Sequence, residues 1–291
     1  MIGKKHQNYK RSLIALLVLG LYIALCCFLL SPKEKTYFRD LNNVHSQEEL
    51  SVLSYNIQAR PVLDACDQKT PLIGERLNSY DLIGLQEAFS SYDKIFQRAS
   101  SLEGVAFCRR RHPLKLVNSG LAVLTRFPIS DIDSEYFEEE GALENCLGSK
   151  GVLMARIRVN GCDLDFYTTH LAAGEGQKLL PSKRLQLEQI ISFIRKHSPK
   201  KRAVILSGDF NLRLEDLGAL EVLGLVNTAV ELNLQKDSFI DHIFYRSGKD
   251  LLLKPISRQV LRQGFDSPEG TPLSDHHPLL VQFEVKRKRS K

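Results

Sequence analysis

Residues 274–285 read SDHHPLLVQFEV, an acid and two histidines placed directly before the last strongly apolar run of the chain. LLVQFEV has the composition of a buried strand, so Asp275, His276 and His277 stand at its mouth. An acid beside a histidine is common in strand-entry turns. Only the company these residues keep can separate a turn from a site.

The same arrangement recurs upstream. Strands are predicted at 50–57 (LSVLSYNI), 81–87 (DLIGLQE), 119–125, 151–159, 162–171 (CDLDFYTTHL), 203–209 (AVILSGD), 239–245 (FIDHIFY) and 279–285. A short helix through GERLNSY links the first two, and SKRLQLEQIISFIRKHSP (182–199) is the best helix signal. There Ser182 is placed to cap, Leu187, Ile190, Ile191 and Ile194 share one face, and Pro199 stops the helix. Strands outnumber helices, which predicts an α+β body of packed sheets with helices outside.

Polar side chains fall at the ends of these strands: Asn56, Glu87, His170, Asp209 with Asn211, Asp241, then Asp275 with His276. Strand ends that face one way form a common rim. Asp209 and Asn211 are two apart, so an extended chain projects them to one side. In FIDHIFY the alternation puts Phe239, Asp241 and Ile243 on one face, and an acid on an apolar face must be paired or serve a cation.

The ordered set SYNI, LQE, TTHL, GDFN, IDHIF and SDHHP resembles the endonuclease/exonuclease/phosphatase (DNase I-like) superfamily over residues 50–285. That resemblance implies a four-layered α/β sandwich, two packed β-sheets flanked by helices, and metal-dependent cleavage of phosphoester bonds. Carried over motif by motif, Glu87 would bind Mg2+, or Mn2+ in its place, with help from Asn56. His276 would be the general base, oriented by Asp241. Asp275 would support that base and the metal region, Asp209 and Asn211 would hold the nucleophilic water or a phosphoryl oxygen, and His170 would contact the phosphate.

SGLAVLTRFPI (119–129), SKGVLMARIRVNG (149–161) and THLAAGEG (169–176) resemble the neutral sphingomyelinase branch. Its Lys-Gly pair corresponds to Lys150 and Gly151, a point charge near the rim and a flexible turn. The implied reaction is hydrolysis of sphingomyelin, a membrane phospholipid, to ceramide and phosphocholine. A DNase I-like endonuclease, or another phosphoesterase such as an inositol phosphate phosphatase, is the alternative on the same scaffold. One departure stands out: residues 212–238 hold no aromatic residue, and the chain has no tryptophan.

The rest of the sequence sets the surroundings. The 291 residues are 43% hydrophobic and 25% charged, enough for one large globular unit. Residues 12–30 are an uncharged apolar run of 19, the length that spans a bilayer core of about 30 Å as a helix. Four basic residues precede it, which predicts a single-pass signal anchor with a cytoplasmic N-terminus and the body on the outer or luminal side. A cleaved signal peptide is the competing reading, and the length of the run argues against it. The expected domains are a basic segment 1–11, the anchor 12–30, a juxtamembrane linker 31–48, the catalytic domain 49–285 and a basic tail 286–291. Net charge is +6, but the tail carries five positive charges and the first eleven residues four, which leaves the body at −3. That argues against a broad grip on nucleic acid, although CRRRHPLK (108–115) is a basic cluster. The tail is a candidate contact for anionic lipid heads. Four cysteines lie in the body, Cys66, Cys108, Cys146 and Cys162, an even number compatible with one or two disulfides.

Overall fold

Runs of Leu, Ile and Val bury themselves here in two β-sheets packed face to face, each with its outer face under helices. The computed structural model describes residues 17–22, 36–37 and 47–288, apart from residues 62, 108–114, 116, 140, 142–147, 175–177 and 235–238. In chain order the elements are β1 (Thr36–Tyr37), β2 (Glu49–Asn56), α1 (Cys66–Leu77), β3 (Leu82–Gln86), α2 (Tyr92–Arg98), β4 (Glu103–Phe107), β5 (Leu121–Thr125), β6 (Ile129–Tyr136) and β7 (Gly151–Val159). There follow β8 (Cys162–His170), α3 (Leu180–His197), β9 (Ala203–Asp209), two 3-10 turns (Leu214–Asp216 and Gly218–Leu223), β10 (Val226–Asn227), α4 (Thr228–Glu231), β11 (Asp241–Arg246), β12 (Leu251–Val260) and β13 (Leu279–Arg287).

The first sheet has seven strands in the order β1-β4-β5-β3-β2-β13-β12, the second six in the order β10-β11-β9-β8-β7-β6. Val52, Val123, Phe166, Ile205, Ile243 and Phe283 fill the space between them. Leu53, Ile73, Leu85 and Ile95 join α1 and α2 to the outer face of the first sheet. Met154, Tyr167, Leu187, Ile190 and Leu206 do the same for α3 and the second. This is the four-layered sandwich expected from the resemblance.

Two strand pairs are parallel, β2 with β3 and β8 with β9, and their crossovers run through α1 and α3. The other pairs are antiparallel, so β7, β11 and β13 begin at the end where β2, β8 and β9 finish. Asn56 pairs with Gln86, His170 with Asp209, Asp209 with Asp241, and Gly151 with His170. Register therefore aligns the strand-end residues within each sheet, and the packing of the two sheets brings the edges together, with Asn56 of the first sheet donating to Asp209 of the second.

Several expectations need correction. Ser182 does not cap α3, which starts at Leu180 with a proline in its first turn; the Ser182 hydroxyl donates instead to Glu139 Oε1 at 3.1 Å. Gly151 is not a flexible turn. It is the first residue of β7, and a Cβ there would lie 2.3 Å from the Glu135 carbonyl oxygen, so the strand approach itself excludes a side chain. Gly151→Ala is expected to lower stability by about 1–3 kcal/mol through overpacking, read as a loss in Tm. The helix expected through GERLNSY begins earlier, at Cys66.

The predicted membrane anchor and the single-pass placement built on it are overturned. Among the described residues no helix is long and apolar enough to cross a membrane. Within 12–30 the described helical residues are 17–22, a rise of about 9 Å, against about 30 Å of hydrocarbon. The remainder of that run lies outside the described residues, as do Cys108, Cys146 and most of the 108–115 cluster. Cys66 and Cys162 are both free and buried.

Candidate active site

Asp209, at the end of β9 and 1% exposed, is the hub of the rim. Its Oδ2 accepts from Asn56 Nδ2 at 3.0 Å and faces His170 Nε2 at 3.4 Å and His276 Nε2 at 3.7 Å. Its Oδ1 accepts the Asn211 backbone N–H at 2.9 Å. Burial first, then the charge of Asp241, raise its carboxyl to about 6, against the pull of His276, Asn56 and Lys150.

Asp241 opens β11 beside it and holds His276 Nδ1 at 2.8 Å from its Oδ2. That contact fixes the ring so that Nε2 faces the hub. Burial alone would lower the imidazole; the hydrogen bond and charge of Asp241, with Asp209 and Asp275, raise it to about 9. Asp275 is tied by Gln58 Nε2 to its Oδ2 at 2.7 Å. The turn before His276 is pinned to the first sheet, because Ser274 Oγ donates to the Asn56 carbonyl at 2.7 Å and accepts the His276 N–H at 3.2 Å.

On the other flank, Lys150 Nζ lies 2.8 and 2.9 Å from the two ring nitrogens of His170. Burial, then the charges of Lys150 and His276, press His170 well below its usual range, so it is neutral at physiological pH. Burial also lowers the ammonium of Lys150 to about 8, with Glu87 and Asp209 opposing the shift. The ammonium thus lies directly against a neutral imidazole whose Nε2 also faces the hub carboxylate.

Glu87 follows β3 at φ 54°, a left-handed conformation that non-glycine residues adopt at a cost. Gly120 makes room for it: at φ 64° a Cβ would meet Glu87 Cα at 3.0 Å and the Phe89 ring closer still. Among the described residues the Glu87 carboxylate makes no hydrogen bond or ion pair, and the buried Asp241 Oδ1 has no hydrogen-bond partner. Free carboxylate oxygens on one rim suit a hard divalent cation. Asp209, Asp241 and His276 also offer ligand atoms that all lie within 4.8 Å of one another. Glu87 is outside that trio, and its charge reaches the rim through Lys150.

The structure thus joins Asn56, Lys150, His170, Asp209, Asn211, Asp241, Asp275 and His276 through continuous contacts, with Glu87 adjoining. A cavity of about 330 Å3 opens beside His276, lined by Phe239, Ile240, Asp241, Arg258 and Asp275 among others. His242 turns away, its Nε2 3.0 Å from the Leu212 carbonyl oxygen. Sequence reasoning missed Gln58, Ser274 and Gln86. Gln86 is fully buried and donates to Thr168 Oγ1 at 2.8 Å, a polar tie between the sheets beneath the rim. A glutamine inside the apolar run DLIGLQE was the signal that could have found it.

Endonuclease/Exonuclease/phosphatase family 2 matches residues 40–238. A Mycobacterium bovis protein named sphingomyelinase is 29% identical over 273 residues, covering 81% of this chain and 52% of that protein. Human sphingomyelin phosphodiesterase 2 is 26% identical over 252 residues, with 74% and 59% covered. The chain thus spans little more than half the length of these curated relatives. Among solved structures, sphingomyelinase C from Streptomyces griseocarneus superposes with a TM-score of 0.64 at 18% identity, covering 81% of this chain and 99% of that one. A humanized D. rerio TDP2 does so with a TM-score of 0.64 at 22% identity and the same coverage. At these identities the likeness is one of fold.

Proposed function

Since the chain belongs to the endonuclease/exonuclease/phosphatase family, we propose that it is a divalent-metal-dependent phosphodiesterase that hydrolyses sphingomyelin to ceramide and phosphocholine. The observation that carries the chemistry is His276, held by Asp241 at 2.8 Å and facing Asp209, across the hub from Lys150 and His170. The lipid assignment is supported by the sphingomyelinase relatives, and the Lys150-Gly151 pair agrees with it.

In this reading His276 Nε2 takes a proton from the attacking water while Asp241 holds the Nδ1 proton and balances the imidazolium that forms. Asp209, with Asn56 and Asn211 around it, orients the water. Asp275 keeps the base loop in place through Gln58. Neutral His170 donates to a phosphoryl oxygen, and Lys150 supplies charge where the transition state becomes more negative. Glu87, with Asn56, would hold Mg2+ or Mn2+, which would withdraw charge from the phosphoryl oxygens and offset the carboxylates that keep His276 protonated.

The deciding experiment sets phosphocholine release from sphingomyelin vesicles beside nicking of supercoiled plasmid, each with Mg2+, Mn2+ or chelator. Lipid turnover that chelator abolishes and metal restores is expected, without nicking. Nicking without lipid turnover would move the substrate to nucleic acid. Glu87→Gln is expected to raise the Mg2+ concentration for half-maximal activity by at least about tenfold, the cost of losing even an outer partner of a metal site. An unchanged metal requirement would assign the cation to the Asp209, Asp241 and His276 trio instead.

A further inference from the structure

Helix α3 turns a polar pair toward the rim, on the face that otherwise buries Leu187 and Ile190. Lys183 lies in its first turn and is 3% exposed. Its Nζ donates to the carbonyls of Gly174 and Asn211, both at 2.7 Å. One turn later, Gln186 Oε1 accepts the Ala172 N–H at 2.9 Å and its Nε2 donates to the Glu139 carbonyl at 2.8 Å.

Gly174 and Ala172 belong to the segment after His170, and Asn211 to the segment after Asp209. These segments leave two neighbouring parallel strands at the hub. Asn211 sits at φ 48° and gives its N–H to Asp209 Oδ1; its side-chain amide donates to the Leu171 carbonyl at 3.3 Å, and the Leu171 N–H to the Asp209 carbonyl at 3.0 Å. The contacts close a circuit from α3 through both segments to the hub carboxylate. An ammonium is costly to bury unless its protons are used, and backbone carbonyls in irregular segments need donors of their own. A single ammonium satisfies one carbonyl from each segment, which no aliphatic side chain of that length can do.

We infer that Lys183, with Gln186, is a positioning residue for phosphoryl transfer: it fixes the turn that aims the Asp209 carboxylate and the spacing of that carboxylate from His170. The inference rests on the phosphodiesterase reading, but not on the lipid assignment. It predicts a defect in turnover rather than in substrate binding, because the lysine touches no substrate and acts on the aim of groups that do.

The test measures kcat and KM on bis(p-nitrophenyl) phosphate and on sphingomyelin vesicles for Lys183→Met, Lys183→Arg, Gln186→Leu and Arg202→Met, with Tm for each. Arg202 pairs with Asp163 at 2.6 Å at the far end of the second sheet, so its variant is a destabilised control. Lys183→Met and Gln186→Leu are expected to lose about 10- to 100-fold in kcat per folded molecule, the scale of a displacement near 1 Å, with KM changed less than about threefold. Lys183→Arg should recover most of kcat, and Arg202→Met should keep it despite a lower Tm. If Lys183→Met fails to fold, Gln186→Leu and Lys183→Arg carry the comparison. Full kcat in Lys183→Met or Gln186→Leu, or a kcat loss that follows Tm equally in Arg202→Met, overturns the inference. A wild-type protein inactive on both substrates overturns the phosphodiesterase reading instead.

Discussion

Replacing His276 by alanine is expected to lower kcat by about 10²- to 10⁴-fold while KM stays nearly constant, because general-base assistance is a transition-state effect. Asp241→Asn should lose a comparable factor, since the carboxylate both aims the ring and balances its positive form. The double variant should be little worse than either single one, as expected of groups that act as a unit. The pH profile adds a sign. Asp241 raises His276 through a hydrogen bond and charge, so removing the carboxylate lowers that pKa. The basic, competent form of the imidazole then persists to lower pH, and the acid limb of kcat/KM in Asp241→Asn should move downward. An acid limb that stays in place, or moves up, would mean that another group controls it. Full activity in His276→Ala would remove the base altogether.

The second large effect concerns stability and lies at the opposite end of the second sheet. Asp165 on β8 is fully buried. Its Oδ1 accepts from Arg156 Nε at 2.7 Å and its Oδ2 from Ser198 Oγ at 2.6 Å, with Arg202 at 3.9 Å. Ser198 meets the Tyr167 hydroxyl at 2.6 Å, and Arg156 also donates to the His197 carbonyl at 3.0 Å, so one carboxylate anchors the end of α3 to the sheet. Asp165→Ala leaves Arg156 half-buried and without its inner partner. The loss is expected to be about 3 kcal/mol, the low end for a broken buried pair, because 19% of the Arg156 side chain keeps contact with water. For a domain of this size that is a drop in Tm of about 6–12 °C in thermal denaturation. Turnover per folded molecule should be unchanged, because Asp165 precedes His170 by five residues of extended chain, about 16 Å. A Tm within a degree of wild type would show that the network contributes nothing net.

These two sites differ in how far the sequence foretold them. The rim was legible because its residues end apolar runs, and a run that stops at Asn, His or Asp advertises a polar edge. Strands β7 and β9 were predicted to the residue. Strand β12 was not predicted, since Pro255 and exposed Leu252 and Ile256 break the alternation; the structure places it at a sheet edge with a bulge between Pro255 and Ser257, where proline is tolerated. Strand β6 was missed for a related reason, as its acidic sequence ISDIDSEY lies on the other sheet's edge and is only partly covered. Lys183 and Gln186 carry no signal in the sequence of the helix itself, where long polar side chains usually face solvent. Their burial depends on carbonyls contributed by segments distant in the chain. The apolar run 12–30 shows the opposite failure, where composition alone suggested a membrane-crossing helix that the described residues do not support.

Strand β13 sits between β2 and β12 and joins the first sheet more than 200 residues of chain after β2. A polypeptide still emerging from the ribosome has Asn56 and Asp209 in hand but neither His276 nor the strand that carries it into place. Hydrolytic competence is therefore expected only once that strand has paired with β2, and a chain cut short before residue 279 should be inert however well its earlier segments have condensed.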